Sequence, residues 1–97
     1  MIVVALLTVR RAELARFRAY EAFAIARARA HGGALERVIE LTDPDPDRHR
    51  ELHVLRFADA DAFARFRADP ALADRQADRA AAVIATEVWT GVDGPGY

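Results

Sequence analysis

Residues Ile2 to Val9 read IVVALLTV, and Arg10-Arg11 closes the run. Valine, isoleucine and leucine follow one another without polar alternation, which is how a strand apolar on both faces looks. The run falls far short of the roughly 20 residues a spanning helix needs. It has no basic residues before it and no small-residue cleavage site after it, so it does not read as a signal peptide. A buried strand therefore opens the chain, and both of its faces must find cover.

Working outward, the period changes. Arg11 to Ala30 is rich in Ala, Arg, Leu and Phe, all compatible with a helix. At 100° per residue Leu14, Phe17, Tyr20, Glu21, Ala24, Ile25 and Ala28 share one arc. His31-Gly32-Gly33 ends the helix with a glycine suited to the left-handed cap. Ala34 to Thr42 alternates, with Leu35, Ile39 and Leu41 expected on one side and Glu36 and Glu40 on the other. Asp43-Pro44-Asp45-Pro46-Asp47 is a turn. Leu52 to Phe57 gives a third strand, and Asp59 is the N-cap of a helix carrying Phe63 and Phe66. That helix breaks at Asp69-Pro70, restarts with Pro70 in its first position, and is expected to run to about Ala82. Ile84 to Thr90 is a fourth strand. The order predicts an α+β, ferredoxin-like βαββαβ domain over residues 1–91, with a four-stranded antiparallel sheet and a tail at 92–97.

The chain has 97 residues, 53% hydrophobic and 30% charged, with 14 basic and 15 acidic side chains. This balance offers no footprint for nucleic acid or an anionic membrane. Cys, Ser, Lys and Asn are absent, and every basic residue is Arg. Thiolate and serine nucleophiles, Schiff-base lysines and phosphate-loop lysines are thereby excluded. No sign of an oxidising compartment exists without cysteine, and a cytoplasmic location is expected.

Helices on one sheet face leave the other bare. On the first strand Val3, Ala5, Leu7 and Val9 are as apolar as Ile2, Val4 and Leu6, and the third strand adds Leu52 and Val54. A bare face of that kind exceeds what soluble monomers tolerate. The expected cover is the same face of a second copy, in a two-fold homodimer.

The stretches Phe17-Arg18-Ala19-Tyr20-Glu21, His31-Gly32-Gly33, Arg56-Phe57-Ala58-Asp59-Ala60-Asp61-Ala62-Phe63 and Ala68-Asp69-Pro70 resemble the dimeric α/β-barrel superfamily. The resemblance covers nearly the whole chain and is nearest to domain-of-unknown-function family 1330, with antibiotic-biosynthesis monooxygenase-like proteins next. It implies two sheets packed face to face and ligand pockets between each sheet and its helices. Superfamily members include cofactor-free oxygenases, isomerases, haem-binding enzymes and regulatory modules. The monooxygenase-like relatives carry an Asn on the first strand and a Trp where this chain has Phe57. Here Thr8 is the first strand's sole polar side chain, which argues against that oxygenase chemistry.

Among candidate groups, His49 and His53 lie roughly 13 Å apart along a strand at about 3.3 Å per residue. They do not chelate one ion together, and no metal or other cofactor is expected. His31 reads as a helix-end residue. Glu21 must find a donor within its apolar arc or have its pKa raised. Arg56, on the parity opposite Phe57, is expected to face the barrel, to hold an anionic ligand or pair with Glu87 of a second copy. Trp89 reads as core or as cavity lining, and Arg75 and Arg79 as a solvated edge. His53, Leu55 and Phe57 share one side of their strand, toward which Glu21 projects. The expected site is a pocket between sheet and helices, with Glu21 and His53 as the catalytic pair and Tyr20 at its edge. Arg56, Phe57 and Trp89 complete the ligand-binding set. A one-residue register slip would send His53 to the opposite face. Two functions fit: binding of a small organic molecule with cofactor-free acid–base or oxygenase-type chemistry, or a non-catalytic ligand-binding or dimerisation module.

Overall fold

The computed structural model describes residues 1–97. Strand β1 (Ile2–Arg10) leads through a 3-10 turn at Arg11–Glu13 into helix α1 (Leu14–Ala30). Strands β2 (Ala34–Leu41) and β3 (Arg48–Arg56) follow, then helices α2 (Ala60–Arg67), α3 (Pro70–Ala73) and α4 (Gln76–Ala82), then strand β4 (Val83–Gly91). The four strands are antiparallel in the order β2-β3-β1-β4. This is the ferredoxin-like α+β fold. The extended β1 therefore sits at the centre, as its apolar composition requires.

Register decides which side chains meet. Val3, Ala5, Leu7 and Val9 of β1 stand opposite Leu55, His53, Glu51 and His49 of β3. Directly opposed residues share a sheet face, and this one lies under the helices. Val3, Leu7, Val9, Leu55 and Phe57 are all buried there. The arc of α1 closes the layer with Phe17, Tyr20, Ala24 and Ala28, all buried. Phe57 is 2% exposed and packs its ring 5.3 Å from that of Phe63 and 5.6 Å from that of Phe66.

Helix ends follow local chemistry. The Asp59 carboxylate accepts from Ala62 N at 2.8 Å and caps α2, and Asp69 accepts from Ala71 N at 2.9 Å and caps α3. Asp69 also takes Arg27 Nη2 at 2.7 Å and His31 Nε2 at 2.9 Å, tying the end of α1 to the α2–α3 junction. Those donors hold its pKa down at about 2, with His31 the largest influence, then the Ala71 amide and Arg27. Gly32 adopts φ 79°, the left-handed conformation expected after the helix. Gly33 is buried against Phe57, where an added Cβ would lie 2.5 Å from Phe57 Cε1.

Three expectations change. The helix expected from Pro70 to Ala82 divides, because Arg75 leaves helical geometry at φ −112°, ψ 15°. Its guanidinium lies 4.5 Å above the Phe23 ring instead. Strand β3 begins at Arg48 rather than Leu52, extending the buried alternation to His49 and Glu51. Strand β2 carries a register shift between Leu35 and Arg37. Leu35 pairs with Leu55 on the helix side while Ile39 pairs with Leu52 on the other, so Leu35 and Ile39 do not share a face. The same shift sets Glu40 opposite Glu51, on the helix side.

The second sheet face carries Ile2, Val4, Leu6, Ile39, Leu41, Leu52, Val54 and Trp89, with no helix over it. Trp89 is 52% exposed. No helix is long and apolar enough to cross a membrane.

Candidate functional site

A cavity of about 790 Å³ lies between the sheet and the helices. Its floor is Ala5, Leu7, His53 and Val88, and its walls are Tyr20, Glu21, Ala24 and Ile25 of α1 with Phe63, Phe66, Leu72 and Arg79 of the later helices. Small residues open it: Ala5 lies between His53 and Val88 across the three neighbouring strands, and Ala24 faces it from α1. The divided α2–α4 segment spans the layer in short pieces rather than one rod. Size and apolar walls with a few convergent polar groups suit a small organic ligand.

His53 is 4% exposed and Glu51 6%, so this polar end is deeply buried. Glu51 Oε2 accepts from His53 Nε2 at 2.7 Å, and Glu51 Oε1 accepts from His49 Nε2 at 2.8 Å. Burial alone would raise the Glu51 pKa, but the bonds from His53 and His49 outweigh it and leave it below the ordinary value. An ionised Glu51 fixes the His53 proton on Nε2, so Nδ1 is the ring atom left for chemistry. Nδ1 lies 3.7 Å from Glu21 Oε2. Burial raises the Glu21 pKa, more than His53 and Arg79 lower it, with Glu51 pushing the same way as burial. A carboxylate that burial makes reluctant to ionise thus faces an oriented imidazole, and both groups line the cavity. This is what proton transfer to or from a bound molecule requires. Burial likewise raises the Tyr20 pKa, opposed by Arg79, which keeps its hydroxyl a proton donor.

Of the residues expected in the site, Glu21, His53 and Tyr20 come together on the cavity. Arg56, Phe57 and Trp89 do not line it. Arg56 lies toward the open face and pairs within its own chain, with Glu36 at 2.6 Å and Asp93 at 3.0 Å. Phe57 is spent on the aromatic packing beneath α2, and Trp89 projects from the open face. Arg79, expected on a solvated edge, turns inward to the cavity and donates to the Thr86 hydroxyl. Glu51 as the partner of His53, with His49 on its other oxygen, was not anticipated. The alternation that put His53, Leu55 and Phe57 on one side extends to them, and that was the available signal.

Solved structures of other proteins share this architecture. SnoaB from Streptomyces nogalater, a cofactor-independent oxygenase, matches over 99% of this chain and 97% of its own, with TM-score 0.69 and 18% identity. A candidate antibiotic-biosynthesis monooxygenase from Bacteroides thetaiotaomicron matches over 100% and 92%, with TM-score 0.67 and 16% identity. Rv0793 from Mycobacterium tuberculosis matches over 96% and 95%, with TM-score 0.62 and 18% identity. The chain shares the ferredoxin-like fold of these proteins. At these identities the likeness is one of fold, and this fold hosts many functions. No family model and no curated protein sequence matches the chain.

Proposed function

We propose that this protein binds a small organic molecule in the cavity between sheet and helices and moves a proton on it without a cofactor. The facing of Glu21 and His53 Nδ1 across 3.7 Å at that cavity, with Glu51 holding the imidazole, carries the reading. Glu21 and His53 are the acid–base pair, and Tyr20 and Arg79 are polar anchors for the ligand. The finer resemblance to family 1330 belongs to this reading, as does a cytoplasmic setting.

The working unit is a homodimer joined through the open sheet faces, each copy covering the other's Leu6, Leu52, Val54 and Trp89. Charge supports this pairing as well as apolar area. Arg50 Nε is buried without a hydrogen bond, its nearest charge being Asp43 Oδ2 at 3.5 Å, and Glu87 forms no ion pair within the chain. Both belong to the open face, so a two-fold axis can bring Arg50 of one copy to Glu87 of the other. Sedimentation at micromolar concentration is expected to show a species of twice 10.7 kDa. A species of 10.7 kDa alone contradicts the dimer.

A crystal structure of the purified protein tests the pocket. The expected result is density for a retained molecule within hydrogen-bond reach of Glu21, His53 or Tyr20, lost when Glu21→Gln and His53→Gln are combined. A cavity filled by the protein's own side chains, with ligand density confined to the open face, contradicts the proposal. A ligand held equally well by the double variant points to a binding module without catalysis.

A further inference from the structure

Three donor atoms converge at the far end of the histidine–glutamate array, away from the cavity. His49 Nε2 lies 2.8 Å from Glu51 Oε1 and 4.0 Å from Glu40 Oε1. All three atoms fall within 4.8 Å of one another. They come from two strands, and the register shift in β2 is what brings Glu40 to this face. Neither His49 nor Glu40 lines the cavity, so proton transfer there leaves both unused.

We infer that Glu40, His49 and Glu51 form a binding site for a divalent transition-metal ion of the zinc type. One imidazole nitrogen and two carboxylate oxygens are the donors such ions take, whereas magnesium and calcium prefer oxygen alone. Bond lengths of about 2.0–2.2 Å place donors roughly 3–3.5 Å apart around a tetrahedral ion. The observed 2.8 and 4.0 Å separations need shifts below an ångström. The Glu40 side chain is 58% exposed, is held on this face only by the exposed Arg18, and its exposure leaves open positions for water. Two carboxylates offset the double positive charge.

The rest of the site is already oriented. Glu51 Oε2 is occupied by His53, which leaves Oε1 for the ion, and the His49 ring packs 6.5 Å from Phe17. The ion replaces the proton between His49 Nε2 and Glu51, and the neutral imidazole carries its proton on Nδ1 instead. Arg18 Nη2, 3.1 Å from Glu40 Oε1, is the cation in competition for the site.

Isothermal titration of the full chain with zinc chloride tests this, with the visible spectrum of bound cobalt(II) as a second readout. The expected result is one ion per chain with a tetrahedral cobalt spectrum. Glu40→Gln, at an exposed position, keeps the fold and weakens zinc by more than about ten-fold, since even outer partners of a ligand cost that much. Arg18→Gln removes the competing cation and tightens binding, which a purely structural role for Glu40 does not produce. His31→Gln, at the separate pair with Asp69, leaves zinc binding unchanged. No uptake by the wild type, equal uptake by Glu40→Gln, or uptake lost in His31→Gln each overturns the site.

Discussion

Replacing Glu51 by Gln probes the element on which the site depends. Glu51 accepts 2.7 and 2.8 Å bonds from two buried imidazoles. Hydrogen bonds to a charged group contribute about 1.5–3 kcal/mol each. Gln keeps one carbonyl acceptor, now neutral, and turns an amide N–H₂ toward the other Nε2–H. One histidine must then change tautomer or lose its bond. The net cost is roughly 2–4 kcal/mol. Glu51→Leu leaves both imidazoles without an acceptor and costs about 3–5 kcal/mol, as for other broken buried pairs. Domains of this size hold only about 5–15 kcal/mol in total, and each 1 kcal/mol moves Tm by about 4–8 °C. Urea unfolding followed by circular dichroism at pH 7 and fixed chain concentration reads the change directly. Glu36→Gln, which breaks the exposed pair with Arg56, is the control and leaves the midpoint nearly unchanged. The sign with pH is also set. The folded pKa of Glu51 lies below 4.5, so its contribution is complete above 4.5 and is lost as pH falls through the folded value. The gap between wild type and Glu51→Gln therefore narrows in acid. A loss below about 0.5 kcal/mol at pH 7, or a gap that widens in acid, refutes the reasoning.

Glu21 has the opposite sign: its folded pKa lies above 4.5, so what it contributes is present below that value and lost as pH rises through the folded pKa. Glu21→Gln should thus gain in Tm on the wild type between pH 4 and pH 7, and a flat difference argues against its burial. Gly33→Ala places a Cβ 2.5 Å from Phe57 Cε1 and 3.0 Å from the Ala28 carbonyl, and should cost about 1–3 kcal/mol in urea unfolding. An unchanged midpoint would show that Phe57 is free to move. Asp69, held at about 2, contributes above pH 3.8 and loses that contribution as pH falls toward 2. Asp69→Asn should therefore be less stable than wild type at pH 7 and approach it in acid melts, and equal stability at pH 7 contradicts the clamp on α1.

Much of the fold was legible because local signals agreed. The two-sided apolar run of β1, the arc of α1, the Asp59 and Asp69 caps and the Asp-Pro turn all describe the structure as it is. What escaped depends on geometry between elements. The β2 register shift is invisible to simple alternation, and with it went the placement of Leu35 and Glu40. The division at Arg75 has no glycine or proline to announce it. Glu21 and His53 could be brought together because each follows from the period of its own element. Arg56, Phe57 and Trp89 were all assigned to ligand binding, Arg56 on the barrel face and Phe57 on the side of the helices. Parity alone sets Arg56 and Phe57 on opposite faces, and pairing Trp89 with Val4 puts it with the open one. Glu51 was within reach of the same alternation, but a glutamate at the start of a strand reads as solvent-exposed until the strand is known to begin earlier.

The claim that the cavity is the functional site meets its most direct test in backbone amide chemical shifts, recorded while a set of small phenols and aromatic acids is titrated in. The account predicts perturbations centred on Tyr20, Glu21, Ala24, His53 and Leu72, abolished by Ala24→Trp, which fills the cavity from α1. Perturbations centred on Trp89 and Leu52 of the open face, or binding that Ala24→Trp leaves intact, would contradict it.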